Sequence, residues 1–339
     1  MASPDEVLAL LDQPLEGAAV GAALELGLFW LLDSEALDSA AVGRALGIPG
    51  RRCAAWLSFL ESTGVVEESG SLWRPSAPVT DAILGTYSAA TWRFLAEEAR
   101  ERLEIAVDLP RALRAAPDAP PGTAGYVGRM AADQDRARRF TRMLMEVHRG
   151  LAGEVAAALD LSGVRRLMDL GGGSGVVAMA LVRSWPDLGV TVVDIANVCA
   201  AAREIVTEAG LAERIDFHAA DFTRDPLPGG FDAVLECDVG VYSEPLFCRV
   251  RDALEPGGRF LIVDEFEPED GTSDGARLGR RLVRTLTDAN WTPKTVARTR
   301  DMLVRAGLVH GAETTLAEKP GIGGRTARTT VLECRRPSF

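Results

Sequence analysis

The stretch Leu167-Met-Asp-Leu-Gly-Gly-Gly-Ser-Gly175 decides the fold of this 339-residue chain. An apolar run ends in Asp169 and breaks into glycines, and a helix-like run follows over residues 176–182. A second apolar run ends in Asp194, 25 residues after Asp169. Glycine lets a backbone turn tightly and approach a ligand closely, and an acid that ends a second strand can bind both hydroxyls of a ribose. The spacing therefore predicts a nucleoside site at the carboxyl edge of a parallel sheet.

The residues around the glycines distinguish between nucleosides. Dinucleotide-binding loops follow G-x-G-x-x-G and hold a pyrophosphate at a helix N-terminus. Here Asp169 precedes Gly171, Gly172, Gly173 and Gly175, and its carboxylate would repel a phosphate but suits a ligand that carries an ammonium and a sulfonium. The arrangement Asp-x-Gly-x-Gly-x-Gly resembles motif I of the class I S-adenosylmethionine (SAM) methyltransferases. This resemblance implies that SAM is the cofactor.

Composition and charge favour a soluble enzyme of two domains. The chain is 47% apolar and has a net charge of −12, which disfavours nucleic acid or an anionic membrane as a partner. Its five cysteines and three histidines lack metal-ligand spacing, which predicts reduced thiols and no metal site. The N-terminal residues lack the layout of a signal peptide, and no apolar run is expected to reach the roughly 20 residues of a membrane span. We expect a cytoplasmic location.

The first of three predicted segments, residues 1–95, is expected to be helical. A nearly uncharged helix over 14–32 precedes a helix-turn-helix over 39–64 and a hairpin over 65–73, which is the order of a winged helix. Between residues 34 and 80 five acids outnumber four arginines, so the basic face that a DNA reader needs is missing. We expect this segment to form a dimer interface, since an apolar helical block must bury its surface; a transcriptional regulator is the disfavoured alternative.

The other two segments are a helical linker over 96–160, which contributes to the substrate pocket, and a catalytic domain over 161–339. One long helix is predicted over 133–159. From residue 162 strands alternate with helices, which is typical of a doubly wound parallel sheet. The predicted strands are 166–170, 190–194, 215–219, 233–237, 259–263 and 329–334. The fold class is therefore α/β, with a Rossmann-like doubly wound SAM-binding domain after an all-α winged-helix dimerisation domain.

Taken together, these motifs resemble a small-molecule O-methyltransferase of the SAM-dependent type common in plant phenolic and bacterial natural-product pathways. The resemblance covers nearly the whole chain and rests on the glycine loop, Asp194, Asp221-Phe222, Leu254-Glu-Pro-Gly-Gly258 and Met302-Leu-Val-Arg-Ala-Gly-Leu308. It implies a homodimer that acts on a small hydroxylated aromatic. An acid beside an aromatic at 221–222 can also bind an adenine amine and ring, and an exposed loop pair is the alternative. The predicted cofactor contacts are Asp169, Gly171, Gly173, Asp194, Asp221, Phe222 and Cys237.

One segment departs from the family pattern. Where the family has Leu-His-Asp-Trp, with a histidine general base, this chain has Cys237-Asp-Val-Gly-Val-Tyr-Ser-Glu-Pro245. Alignment from the strand end places Tyr242 at the histidine's position, a change that resembles the bacteriochlorophyll C-methyltransferase branch. Tyrosine, with an ordinary pKa near 10, is a poor base. We predict that Tyr242 orients a substrate hydroxyl or stabilises a phenolate, and a role in the pocket wall alone stays open.

His148 is the second candidate for proton transfer, because a neutral histidine can remove a phenol proton near pH 7. The family places a Met and a His on this helix, and Met145 and His148 are three residues apart, on one helix face. A surface or core histidine is the alternative. Further predicted substrate contacts, each of which could equally be a solvated loop residue, are Asp238, Glu244, Asn290 and Trp291.

Two enzymatic functions stay open from the sequence. In the first, a methyl group passes from SAM to a ring carbon or a hydroxyl oxygen of a hydroxylated aromatic, an intermediate in the biosynthesis of an antibiotic or related product. In the second, SAM is bound without methyl transfer, and the intermediate is decarboxylated, hydroxylated or cyclised. Formation of S-adenosylhomocysteine separates the two functions.

Overall fold

The computed structural model describes residues 3–115, 126–269, 271, 275–287, 291–316, 319–321, 325–327 and 329–338. The chain divides into two compact units, residues 1–114 and 115–339. The boundary predicted after residue 95 falls inside the helix Ala89–Val107. This helix belongs to the first unit, because Arg93 Nε donates to the carbonyl of Glu25 at 3.0 Å and Arg100 forms an ion pair with the Glu25 carboxylate.

The first unit is mainly helical. Its elements are α1 (Pro4–Leu26), α2 (Leu28–Ser34), α3 (Ser39–Leu46), α4 (Gly50–Ser62), β1 (Val66–Ser69), β2 (Leu72–Pro75), α5 (Ala77–Val79), a π-helical turn (Thr80–Leu84), α6 (Ala89–Val107) and α7 (Leu109–Arg114). Strands β1 and β2 form the predicted antiparallel hairpin. The single helix predicted over 14–32 is wrong. Gly27, in the left-handed region at φ +77°, separates α1 from α2.

Helix α1 buries its second half in the core of its own unit. Ala19, Ala23 and Leu24 are buried there, whereas leucines of the first half are exposed: Leu8 by 59%, Leu11 by 70% and Leu15 by 62%. By length and hydropathy alone, residues 7–26 match a membrane span, which the sequence analysis did not expect. The buried residues of the second half pack into the helical core, so this half of α1 is a structural element of the unit.

The second unit contains a sheet flanked by helices. Its elements are α8 (Tyr126–Ala132), α9 (Gln134–Val147), α10 (Arg149–Ala158), β3 (Arg166–Leu170), α11 (Val176–Ser184), β4 (Gly189–Asp194), α12 (Ala196–Glu208), β5 (Ile215–Ala219), β6 (Phe231–Cys237), α13 (Glu244–Ala253), β7 (Leu254–Glu265), α14 (Gly275–Thr287), α15 (Val296–Arg305), β8 (Val309–Thr315), β9 (Lys319–Gly321), β10 (Arg325–Ala327) and β11 (Thr329–Arg335).

The sheet has the order β5-β4-β3-β6-β7-β11-β8. Strands β3 to β7 run in parallel, and β11 pairs antiparallel with both β7 and β8. The chain starts in the middle at β3, goes outward through β4 and β5, and then returns to the other side of β3 with β6. Ligands of open α/β sheets bind where the strand order reverses, at the carboxyl ends of the strands. That point is the edge shared by β3, β4 and β6.

The α/β fold class predicted from the sequence is confirmed, and each predicted strand exists. Strand β8 was not predicted, because its exposed residues give no alternating apolar pattern. The single helix predicted over 133–159 is wrong. It is two helices, α9 and α10, which meet at His148 (φ −91°, ψ 4°). Gly150, a weak helix former, follows directly after this junction.

Helix α9 is fixed to the sheet through α12, the helix that follows β4. Arg142 forms an ion pair with Glu208 at 2.7 Å, and Arg138 and Arg142 both contact Glu204. These pairs align α9 with the element that follows Asp194. The C-terminal end of α9 lies at the glycine loop, because Leu144 Cδ1 is 3.2 Å from where a Cβ at Gly173 would lie.

Candidate functional site

The glycine loop after β3 folds back over its own acid. Gly171, Gly173 and Gly175 all have positive φ, at +71°, +53° and +73°. A Cβ at Gly172 would lie 2.5 Å from Asp169 Oδ2, which is inside van der Waals contact. The loop can therefore close around the Asp169 carboxylate only with glycine at position 172. The predicted glycines Gly171 and Gly173 lie in this loop.

Asp169 is buried, and its Oδ2 atom has no hydrogen-bond partner among the described residues. Burial and the nearby Asp194 carboxylate raise the pKa of Asp169 to about 7. Buried polar atoms are almost always hydrogen-bonded, so an unpartnered one needs an explanation. A ligand ammonium would supply both a donor and a compensating charge. This unpartnered oxygen fits the cationic part of SAM.

Asp194, at the end of β4, supports the loop from the neighbouring strand. Its Oδ2 accepts a hydrogen bond from the Gly173 N–H at 3.1 Å, and its Oδ1 accepts one from the Ile195 N–H at 2.7 Å. Burial raises the pKa of Asp194 to about 6. A carboxylate oxygen has two lone pairs, so each oxygen can accept one more hydrogen bond, for example from a ribose hydroxyl.

Three further predicted cofactor residues lie around the same edge. The Phe222 ring approaches the loop, with its Cε1 3.4 Å from the position of a Cβ at Gly171. Asp221 is occupied by local partners: it accepts from the Thr223 hydroxyl at 2.6 Å and forms an ion pair with Arg224 at 2.9 Å. Cys237 ends β6 next to Asp169, and burial keeps its pKa well above that of a free thiol. A neutral thiol and an aromatic ring suit an apolar wall of the site.

The three residues that follow β6 contact three different parts of the site. Asp238 has a left-handed backbone, φ +55°, and begins the turn. Val239 packs against the glycine loop, with its Cγ2 only 2.7 Å from where a Cβ at Gly171 would lie. A Cβ at Gly240 would lie 2.6 Å from Lys294 Nζ. This segment, residues 238–240, therefore connects the cofactor loop with charged groups on either side.

His148 and Asp238, two residues predicted separately, lie together. Nε2 of His148 lies 3.2 Å from Oδ2 of Asp238, and the two side chains are 27% and 48% exposed. The tautomer with the proton on Nε2 suits this contact, because a carboxylate is an acceptor. In the neutral imidazole Nδ1 is then an acceptor. Both side chains are accessible to a substrate, and Nδ1 can receive a proton from it.

The Tyr242 hydroxyl points to a buried acid. It donates a hydrogen bond to Asp264 Oδ2 at 2.6 Å, and Lys294 Nζ donates to the same oxygen, also at 2.6 Å. Burial raises the pKa of Asp264, and the ammonium of Lys294 opposes that rise. Burial and the neighbouring acids keep the pKa of Tyr242 well above its ordinary value. Tyr242 is therefore a neutral hydroxyl whose proton is used by Asp264, and not a base.

Glu236 completes this buried network. Its Oε1 accepts from the N–H groups of Val239 at 3.1 Å and Gly240 at 2.7 Å, and its Oε2 lies 3.4 Å from the Tyr242 hydroxyl. Burial and the Asp264 carboxylate raise the pKa of Glu236 to about 8. Both effects favour the neutral form of Glu236. Its Oε2 is a second, more distant acceptor for the Tyr242 hydroxyl, which donates to Asp264 at the shorter distance.

Sequence reasoning did not identify Glu236, Asp264 or Lys294. Asp264 follows the apolar run 260–263, which is the same signal that identified Asp169 and Asp194. Lys294 has no such sequence signal. Its ammonium reaches the site only because it occupies the space that a side chain at position 240 would fill.

The remaining predicted substrate residues differ in position. Met145 is partly buried against the sheet core, and its sulfur accepts from Arg149 at 3.8 Å. Glu244 forms an exposed ion pair with Arg305 at 2.9 Å, and no contact is shown between it and the 238–240 segment. Trp291 is partly buried, three residues before Lys294. Asn290 lies outside the described residues.

Similarity to known proteins extends over both units. Residues 122–308 match the family described as O-methyltransferase domain. A 3-hydroxy-5-methyl-1-naphthoate 3-O-methyltransferase from Streptomyces sahachiroi is 32% identical over 286 residues, which cover 80% of each chain. The structure of the mitomycin 7-O-methyltransferase MmcR matches with a TM-score of 0.82 at 24% identity, over 98% of this chain and 97% of that one. Human N-acetylserotonin methyltransferase in complex with SAM matches with a TM-score of 0.74 at 22% identity, over 99% of this chain and 100% of that one.

Proposed function

The chain belongs to the O-methyltransferase domain family of SAM-dependent enzymes, and on this premise we propose that it methylates a hydroxyl oxygen of a small hydroxylated aromatic. The observation that carries this proposal is the contact between His148 and Asp238 beside the glycine loop. The naphthoate relative, named as a 3-O-methyltransferase, favours oxygen over a ring carbon as the acceptor. The comparisons support methyl transfer and not the alternative of a non-methylating reaction.

The cofactor is SAM, which when bound supplies an electrophilic methyl group to the substrate oxygen. Asp169 binds the cationic amino acid part in this proposal, and Asp194 binds the ribose hydroxyls. Phe222 packs against the adenine, and Asp221 lies beside it. Asp221 Oδ2 contacts Arg224 and has a second lone pair, which can accept a hydrogen bond from the adenine amine.

The substrate hydroxyl loses its proton to His148. Asp238 holds the Nε2–H, which orients the imidazole and leaves Nδ1 toward the substrate. Asp238 also stabilises the imidazolium that forms, because it is an anion in direct contact. General-base catalysis of this kind contributes about 10²–10⁴ in rate.

Tyr242 is proposed as a wall and positioning residue. Its hydroxyl donates to Asp264 at 2.6 Å and lies 3.4 Å from Glu236 Oε2. Its hydroxyl can still accept a hydrogen bond from substrate, but it donates to Asp264. We also propose that Tyr242 replaces the family's histidine and that the chain resembles the bacteriochlorophyll C-methyltransferase branch at this position. Of the other predicted residues, Met145 and Trp291 are proposed to contact the aromatic ring, and Glu244 is kept only as a rim residue.

The N-terminal unit is proposed to be a winged helix that forms a homodimer. Helices α3 and α4 with the hairpin β1–β2 support this assignment. The exposed leucines Leu8, Leu11 and Leu15 repeat at helical spacing on α1 and offer an apolar surface. We propose that a second copy of the chain covers them. Of the segment 96–160, proposed as a linker, residues 96–114 belong to the N-terminal unit. Because we assign α1 to an interface between protein chains and not to a membrane, we also propose a cytoplasmic location.

Incubation with SAM labelled in its methyl group and a panel of hydroxynaphthoates tests the function. We expect labelled product and S-adenosylhomocysteine in equal amounts, with label on oxygen. The Asp194→Ala variant is the control, because its loss of cofactor binding must abolish product. Label on a ring carbon, or substrate consumption without S-adenosylhomocysteine, would contradict the proposal.

A further inference from the structure

We propose that the Lys294 ammonium binds the ionised hydroxyl oxygen of the substrate and so makes deprotonation easier. The inference rests on the proposed function, since it assigns a phenolate-binding group to the same site. It adds a residue that sequence reasoning did not identify. Lys294 would be a catalytic residue, because it touches the oxygen that reacts.

The position of Lys294 is the first support. Residues 238–240 are consecutive, and Asp238 contacts His148 while Gly240 faces Lys294. Val239, between them, packs on the glycine loop at Gly171. The base and the ammonium therefore contact neighbouring residues of the segment that packs on the cofactor loop. In this proposal the substrate oxygen lies beside that segment, between a proton acceptor and a cation.

The orientation of the ion pair is the second support. Asp264 is the buried partner, with its side chain 2% exposed, and Lys294 is the accessible partner, 26% exposed. The pair therefore presents its positive end to solvent and substrate. An ammonium has three donors, and one of them is used by Asp264. The others can reach an oxygen in the pocket.

Four titratable groups face Lys294 or its partner: Asp264, Glu236, Asp238 and Tyr242. Burial raises the pKa of Glu236 and that of Tyr242, which favours their neutral forms. Asp238 lies beside His148, and its charge raises the pKa of Asp264. Asp264 is the carboxylate that accepts a hydrogen bond from Lys294.

The choice of lysine at this position is the third support. The chain has 37 lysines and arginines, and only Lys294 and Lys319 are lysines. A Cβ at Gly240 would almost touch Lys294 Nζ, at 2.6 Å, so the ammonium occupies the volume of an absent side chain. Lysine presents a compact point charge, whereas the planar guanidinium of arginine is larger. The space beside Gly240 suits the smaller group.

Binding of 1,2-dihydroxyanthraquinone, whose ionised form absorbs at longer wavelength than its neutral form, tests this directly. Absorbance is recorded against pH for the probe bound to protein saturated with S-adenosylhomocysteine. We expect the wild type to lower the pKa of the bound probe. Lys294→Gln should raise that pKa by at least one unit, about a tenfold change in the ionised-to-neutral ratio at fixed pH. Lys319→Gln removes the same charge elsewhere and should behave as the wild type.

A double variant separates substrate binding from a structural role. Lys294→Gln with Asp264→Asn leaves no unpaired buried charge, so a purely structural lysine would be dispensable in it. We expect the double variant to keep the raised pKa of the probe. A return to the wild-type pKa, or a wild type that does not favour the ionised probe, would overturn the proposal.

Two further measurements keep the outcomes distinct. Titration with S-adenosylhomocysteine shows whether each variant is folded and binds cofactor. Methyl transfer from labelled SAM is measured separately. Its absence would contradict the proposed function, whereas the pKa of the bound probe tests the role of Lys294 independently.

Discussion

At the scale of single residues, the acids of the second unit differ in how their charge is balanced. The Asp264 carboxylate pairs with the Lys294 ammonium, and the Asp238 carboxylate contacts the imidazole of His148. Asp169 and Asp194 have backbone donors at most, and Asp169 retains an oxygen without any partner among the described residues. A site that leaves two neighbouring carboxylates without a cation is prepared for a cationic ligand. The chemistry of binding should therefore be coupled to protons.

Cofactor binding should release protons near neutral pH. The pKa of Asp169 is raised to about 7 and that of Asp194 to about 6, so both carry protons below these values in the free protein. A cationic ligand favours the ionised forms, lowers both pKa values and expels the protons. Affinity for SAM should therefore rise as pH increases from 5 to 8. Calorimetric titration in two buffers of different ionisation enthalpy counts the protons.

Asp169→Asn isolates the contribution of that residue to proton release. The amide has nearly the same size but does not titrate, so the variant should release fewer protons than the wild type. The ionisation of the ligand's own amine is common to both measurements and cancels in the difference. Equal proton counts for the two proteins would show that Asp169 does not titrate on binding.

Removal of His148 should affect the chemical step. We expect His148→Ala to lower kcat by about 10²–10⁴, because the general base is lost, with SAM affinity unchanged. His310→Ala, an exposed histidine on β8, is the matched control. Wild-type kcat in His148→Ala would remove His148 from the mechanism.

Sequence patterns identified the acids that end apolar runs but not the partners of those acids. Asp169 and Asp194 were predictable because a local pattern, strand then acid then glycine, places them at the sheet edge. The contact between His148 and Asp238 joins residues 90 positions apart, and it depends on the break between α9 and α10. The position of the Lys294 ammonium depends on the absence of a side chain at Gly240, which lies far from it in the sequence. Such contacts arise from tertiary packing, which a local pattern does not encode.

At the scale of elements, the sequence pattern predicted every parallel strand, but apolar periodicity did not predict where the helices end. The predicted helices 14–32 and 133–159 each contain a break, at Gly27 and at His148. Apolar periodicity continues across both breaks, because the helices on either side contact the same core. Periodicity therefore predicted which faces are buried and not where a helix stops.

Two glycines of the second unit should respond oppositely to alanine. Gly210 follows α12 with φ +70°, and Gly153 lies inside α10; neither has a heavy atom within 4 Å of its would-be Cβ. Gly210→Ala should destabilise by about 1–2 kcal/mol, the cost of a left-handed non-glycine residue. Gly153→Ala should stabilise by about 0.5–1 kcal/mol through helix propensity. Urea unfolding measures both, and shifts of the same sign would contradict this account.

At the scale of the whole molecule, the first half of α1 is where assembly should be decided. Its exposed leucines have no cover in the described part of the chain, although leucines at helical spacing normally face apolar surface. Lipid and a second protein chain are the two surfaces that could provide it. The core packing of the second half of α1 favours the protein.

Light scattering should give a particle of about 72 kDa, twice the 36.2 kDa of one chain. Leu11→Glu combined with Leu15→Glu should reduce it to one chain, because burying two carboxylates in an apolar interface is costly. Leu113→Glu, at a leucine that is 61% exposed on α7, adds charge outside α1 and should keep the dimer. A 36 kDa wild type at micromolar concentration would exclude the dimer.

The strand order of the sheet also has a consequence for how the protein is made. Strand β11 lies between β7 and β8 in the sheet but follows both in the sequence. On the ribosome, β7 is therefore complete long before the strand that covers its free edge has been synthesised. An unpaired strand edge readily recruits strands of other chains. The nascent protein thus passes through a stage in which this edge of β7 is not yet paired, and a strand from another chain could pair with it.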